Sequence, residues 1–166
     1  MRAITVIRSF CFALENQMKF VTEGLTPEDL RWRLSENSAP AAGWIVGHVL
    51  VSHDQFVNQL LLGKSSLLPD DYYTVFGFSS EGEFPSQFSL EDLFTQFKLV
   101  TSKVVEELMA KDDTWLEEFP DDSLLPPHWK NRNHMKVLVL HFNHVFTHAG
   151  QILEIKRARE KGAWGF

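Results

Sequence analysis

Between Val137 and Ile155 the apolar residues Val137, Leu138, Val145, Ile152 and Ile155 recur at three- and four-residue intervals, the period of a helix with one face in a core. His141, His144 and His148 fall on that same stripe. The chain must therefore fold so that a core-facing helical surface carries imidazoles, and an imidazole out of water needs a partner. His144 and His148 are about 6 Å apart along the axis, so both rings can reach one divalent ion from one side. His141 with His144 is the other pairing the spacing allows, whereas His141 and His148 are about 10 Å apart, too far for one mononuclear site. A hydrogen-bonded core without metal is the alternative account of the same spacing.

Two histidines do not usually hold an ion alone, so a third ligand is expected from another element. His48 is the best candidate. Trp44 precedes it by four residues and Val51 follows by three, which places its ring on an inward-facing row. His53 is five residues beyond, about 140° around the helix, and cannot face the same ion, so it is expected at the surface or an interface. His128 and His134 lie in or beside a Pro- and Asn-rich stretch and are expected to be solvated.

With 166 residues the chain is long enough for one core, and residues 1–166 are expected to form a single domain. A composition of 44% hydrophobic and 23% charged residues fits neither a disordered nor a membrane protein. The net charge of −6 argues against a nucleic-acid partner. The one basic cluster, Lys156, Arg157, Arg159 and Lys161, lies near a helix C-terminus, where cations complement the dipole. No apolar run reaches the roughly 18 residues of a spanning helix, and the segment Ile4 to Leu14 is interrupted by Thr5, Arg8 and Ser9 with no small-residue cleavage site after it, so a signal peptide is not expected. Cys11 is in step with Ile7, Leu14, Met18 and Val21, which predicts a buried thiol and no internal disulfide. A cytoplasmic protein is the default expectation.

Four long helical patterns follow from the periodicity, over about 3–23, 41–62, 89–111 and 133–161. Gly24 and Gly63 are placed to end the first two, and Thr26-Pro27 begins a short capped turn. Residues 63–88 are irregular but rich in Tyr and Phe, which either close one end of the helices or wall a pocket. A second long connection, 112–132, contains Pro120, Pro126 and Pro127. No segment alternates as a strand would. The expected fold is all-α, a four-helix bundle with long connections after helices 2 and 3, a type whose core commonly houses metals.

These residues also carry a resemblance. Gly24 to Leu30, the segment Gly43-Trp44-Ile45-Val46-Gly47-His48, and His144-x-x-x-His148-x-Gly150-Gln151-Ile152 make the chain similar, over nearly its full length, to the DinB-like (DinB/YfiT) metal-binding four-helix-bundle proteins, a group related to thiol-dependent S-transferases. The resemblance implies His48, His144 and His148 as the metal ligands, one divalent ion (zinc or nickel), an up-down-down-up bundle and frequent homodimerisation. It leaves His141 outside the ligand set. It implies a low-molecular-weight thiol as cosubstrate without specifying the branch.

Three neutral imidazoles would leave an ion its charge and an open position, the form of a catalytic site for a thiol or a water. Gln151, Ser52 and His141 are the residues placed to orient the ligand rings. The partner expected is a small thiol or electrophile, with no membrane or nucleic acid. No clear general base accompanies the three histidines, so a noncatalytic metal- or small-molecule-binding, stress-related bundle stands beside the transferase reading.

Overall fold

The computed structural model describes residues 2–34, 39–121, 123 and 125–163. Among these the chain is all-helical: α1 (Ala3–Thr22), α2 (Pro27–Arg31), α3 (Ala42–His53), α4 (Asp70–Phe76), α5 (Leu90–Met109) and α6 (His134–Ala163), with no strand. α3 runs directly into a π-helical stretch, Asp54–Leu61, that completes the second long helix. Short 3₁₀ turns at Trp115–Glu117 and Pro127–Trp129 punctuate the connection to α6.

Local chemistry sets the boundaries. Gly24 and Gly63 take φ of +79° and +66°, the left-handed conformation that closes a helix at little cost to glycine. Thr26 caps α2 reciprocally with Asp29, and Pro27 sits in its first turn. The Ser89 hydroxyl accepts from the Asp92 N–H at the start of α5. The first turn of α1 is capped from a distance, its Ala3 and Ile4 N–H groups donating to the Asp113 carboxylate at 3.2 and 2.9 Å.

α1 and α5 each present one apolar stripe: Ile7, Cys11, Leu14, Met18 and Val21 are buried on α1, and Leu93, Phe97, Val100, Val104 and Leu108 on α5. The Cys11 thiol is fully buried, and desolvation pushes its pKa up to about 12, so it is packing and not a nucleophile. α3 differs in kind, because all twelve of its residues are buried. It is enclosed by α2, α4, α5 and α6, while α1 packs on α5 and α6. No helix is long and apolar enough to cross a membrane among the described residues.

The ends of the helices are tied together in pairs. Lys156 on α6 donates to the Glu23 carbonyl just beyond α1, Lys64 beyond the second helix pairs with Glu107 near the end of α5, and Arg159 reaches Asp29 on α2 at 2.7 Å. The basic residues Lys156, Arg157 and Arg159 are thus engaged by local carbonyl and carboxylate groups; the Lys161 side chain lies outside the described residues.

Two expectations are corrected. His53 is completely buried, not at the surface, because α3 has no solvated side for a residue opposite His48 to occupy. His134 is also buried; it opens α6, its Nδ1 donates to the Trp115 carbonyl at 2.8 Å and its ring packs on the Trp115 indole at 4.2 Å. The His128 side chain lies outside the described residues.

Candidate metal centre and cleft

Two glycines on α3 decide how the site is built. A Cβ on Gly43 would lie 2.4 Å from the Phe84 ring, and a Cβ on Gly47 would lie 2.4 Å from the Phe76 ring. Lacking side chains, these positions make a groove into which both rings settle. Phe76 is fully buried there against Tyr72 and Phe88, with ring centroids at 5.9 and 4.9 Å. Its carbonyl is thereby carried to His48, one residue after Gly47, and accepts from Nδ1 at 2.8 Å.

That bond fixes the His48 tautomer. A carbonyl only accepts, so the proton is on Nδ1 and the Nε2 lone pair is free. The ring is held from both sides: Trp44 stacks on it at 4.7 Å and 9°, and Phe78 meets it edge-on at 4.8 Å. Trp44 is itself anchored, its indole N–H donating to the Val75 carbonyl at 2.8 Å and the Ser80 hydroxyl at 2.9 Å.

α6 brings the other two rings. The Nε2 atoms of His144 and His148 lie 2.8 Å apart, and His148 Nδ1 donates to Gln151 Oε1 at 2.7 Å. Their ring centroids lie 5.3 and 5.0 Å from that of His48. One nitrogen from each of His48, His144 and His148 falls within 4.8 Å of the others, a grouping that could hold a metal ion. The donor set fits such an ion. Tetrahedral coordination at the usual Zn–N length separates ligand nitrogens by about 3.3 Å, and two of the three rings already have Nδ1 committed so that Nε2 is available. The third, His144, has a buried Nδ1 with no hydrogen-bond partner among the described residues.

Electrostatics keeps the rings neutral. Burial pushes the His48 pKa down to about 4, against a raising contribution from the Phe76 carbonyl, and the proximity of His148 lowers it further. His144 is pushed down to about 3 by burial, then by His148 and His48. Burial also lowers His148, with the Gln151 bond opposing it.

Of the residues expected to orient the rings of the cluster, Gln151 reaches His148. Ser52 does not meet His48; its hydroxyl is fully buried without a partner among the described residues. His141 turns to His53, with His53 Nδ1 and His141 Nε2 3.1 Å apart and the rings stacked at 5.3 Å and 15°. Phe97 stacks beyond His53 at 6.0 Å. Both histidines are fully buried, and desolvation lowers His53 to about 4 and His141 well below its ordinary value. They form a separate neutral pair deeper in the core.

Of the three rings, His144 borders a cleft. A cavity of about 430 Å³ is bordered by His144, Thr147, Asn143, Phe56, Phe78 and Trp129, among others. A second, of about 400 Å³, shares Phe56, Phe78 and Pro126 with it and ends at Gln55 and Gln59. The aromatic connection expected to wall a pocket or to close the helix ends does both: Phe78 borders the cleft, whereas Tyr72, Phe76, Phe84 and Phe88 are buried packing. Phe56 and Trp129, packed ring on ring at 4.4 Å, were not legible as cleft residues. The available signal was the Gly43/Gly47 spacing, one turn apart, which marks a ring-sized groove on a helix.

A comparison with functionally curated proteins returned no match. The family model described as DinB superfamily matches residues 14–152, which include all three histidines of the cluster and both glycines of the groove. The chain belongs to the DinB superfamily.

Proposed function

We propose that this protein binds one divalent ion, zinc or nickel, through Nε2 of His48, His144 and His148, and joins a low-molecular-weight thiol to an electrophilic carbon in the adjoining cleft. The observation that carries the reading is the convergence of three neutral imidazoles, one of which, His144, borders an aromatic cavity. An ion held by three neutral ligands keeps its full charge and an open position, and so acidifies a thiol or water that binds there. The protein's own part is orientation and exclusion of water. The Phe76 carbonyl and Gln151 Oε1 aim two rings, Trp44 stiffens the first, and Phe56, Phe78 and Trp129 keep the approach apolar.

In the same reading the four long helices form an up-down-down-up bundle. Asp113, beyond α5, capping the start of α1, and Lys156 on α6 meeting the end of α1, support that order. The proposal extends to a cytoplasmic homodimer. It is supported by apolar side chains left exposed on α1 and α6, including Phe10, Phe12, Val139 and Phe146.

The test has two stages. Metal analysis of purified protein should give one zinc or nickel per chain, lost in His48→Ala and His144→Ala. A panel of thiols is then offered with chlorodinitrobenzene, and metal-dependent thioether formation is expected with at least one thiol. The second reading, a noncatalytic metal- or small-molecule-binding bundle, is favoured by the absence of any carboxylate among the described residues that line the cleft. It predicts bound metal without turnover.

A further inference from the structure

The outer end of the cleft carries a hydrogen-bonding device that the metal chemistry does not use. Asp54 opens the π-helical stretch and is fully buried. Its carboxylate accepts from Asn58 Nδ2 at 2.8 Å, Gln59 Nε2 at 3.0 Å, the Leu67 N–H at 3.2 Å and the Tyr73 hydroxyl. Gln59 Nε2 also donates to the Tyr73 oxygen at 3.0 Å. Both amide hydrogens of Gln59 are therefore spent inside this triangle.

A carboxylate cannot donate, so the carboxamide of Gln59 cannot flip, and its Oε1 is left as a fixed acceptor on a residue that borders the cleft. The remaining border is apolar or uncharged. Between Gln59 and His144 the walls are Phe56, Phe78, Leu125, Pro126 and Trp129, and no lining residue among those described carries a formal charge. At the Gln59 end, away from the histidine cluster, a buried ligand charge would find no counterion among these side chains. Phe78, whose ring stands over His48, is 66% exposed, a large aromatic surface at the lip with little protein covering it.

We propose that this cleft selects an uncharged, largely aromatic or aliphatic small molecule bearing one hydrogen-bond donor, which the pinned Gln59 Oε1 accepts at the end remote from the histidines. The proposal rests on the reading of this cleft as the substrate site and names the class of its electrophilic partner. Two adjoining cavities of about 400 and 430 Å³ suit a molecule of this kind.

The test uses the full chain and matched dyes. N-phenyl-naphthylamine is uncharged, aromatic and has one N–H; anilinonaphthalene sulfonate has the same rings with an added anion; the N-methyl derivative of the first lacks the donor. Fluorescence titration should show one saturable site for the uncharged dye, with the sulfonate at least about tenfold weaker. Gln59→Met should weaken the N–H dye about fivefold and leave the N-methyl dye unchanged. Phe78→Ala, which removes the exposed ring at the lip, should weaken both. Equal affinity for charged and uncharged dyes, or a Gln59→Met loss that is the same with and without the N–H, overturns the proposal. Zinc stoichiometry on the same samples judges the metal reading separately. Dye selectivity without zinc overturns that reading and keeps the cleft; zinc with unselective dye binding does the reverse.

Discussion

Adding one methyl group at Gly47 is the sharpest test of how the site is assembled. On an open helix, Gly→Ala stabilises by roughly 0.5–1 kcal/mol because alanine loses less backbone freedom on folding. Gly150 on α6 is such a position, with nothing within 4 Å of where its Cβ would stand. Gly150→Ala should therefore gain about that amount. At Gly47 the same methyl would meet three Phe76 ring atoms at 2.4–2.6 Å, and that ring is fully buried against Tyr72 and Phe88. Overpacking of this kind costs about 1–3 kcal/mol, which exceeds the helical gain, so the net change should be a loss of up to about 2 kcal/mol. Because displacing Phe76 also moves the carbonyl that holds His48 Nδ1, zinc affinity should fall about 10- to 100-fold. Urea denaturation of the metal-free proteins and zinc titration against a chromophoric chelator measure the two effects. Equal stabilisation by both alanines, with zinc affinity intact in Gly47→Ala, would refute the groove argument.

Other outcomes follow from the same contacts. Gln151→Leu removes the acceptor that holds the His148 proton on Nδ1, and zinc affinity should drop about 10- to 100-fold with helicity unchanged by circular dichroism. His141→Leu alone leaves His53 Nδ1 buried without its partner and should cost about 1–3 kcal/mol, whereas adding His53→Phe should cost less than the sum of the two single changes; a denaturation double-mutant cycle showing strict additivity would remove the pairing from the account. His48 and His53 have folded pKa values near 4 against 6.5 for the free side chain, so the unfolded chain takes up protons first as pH falls. Stability of the metal-free protein should be flat above about pH 6.5 and decline below it by up to about 1.4 kcal/mol per pH unit for each such histidine, levelling near pH 4. Urea midpoints unchanged between pH 7.5 and 5 would contradict the burial of these rings.

Much of this was legible in residue spacing. The stripes of α1 and α5, the Thr26-Pro27 cap, the glycine stops and the shared face of His144 and His148 are all periodic or local signals, and the structure contains each of them, whereas the choice of these two with His48 over His141 came from the family resemblance. What spacing did not reveal depends on what surrounds a helix. The angle between His48 and His53 separates them as expected, yet the inference that His53 faces solvent assumed a wet side that α3 lacks. His134 sits among polar neighbours in sequence, and its burial comes from Trp115, nineteen residues away. The π-helical turns from Asp54 change the phase of the second helix, so neither Phe56 nor Gln59 could be assigned to the cleft by counting in steps of 3.6. Likewise Leu125 and Trp129 lie in a Pro-rich connection, where composition suggests exposure, but both are buried.

The complete enclosure of α3 has a consequence for how the chain matures. A segment with no hydrated flank gains little by becoming helical alone, and its order depends on α2, α4, α5 and α6 arriving around it. His144 and His148, by contrast, share a single helix, so their approach to one another requires no contact outside it. A folding chain can thus offer two nitrogens early and the third only on final closure, so that capture of an ion by His48 would report that the whole bundle had come together.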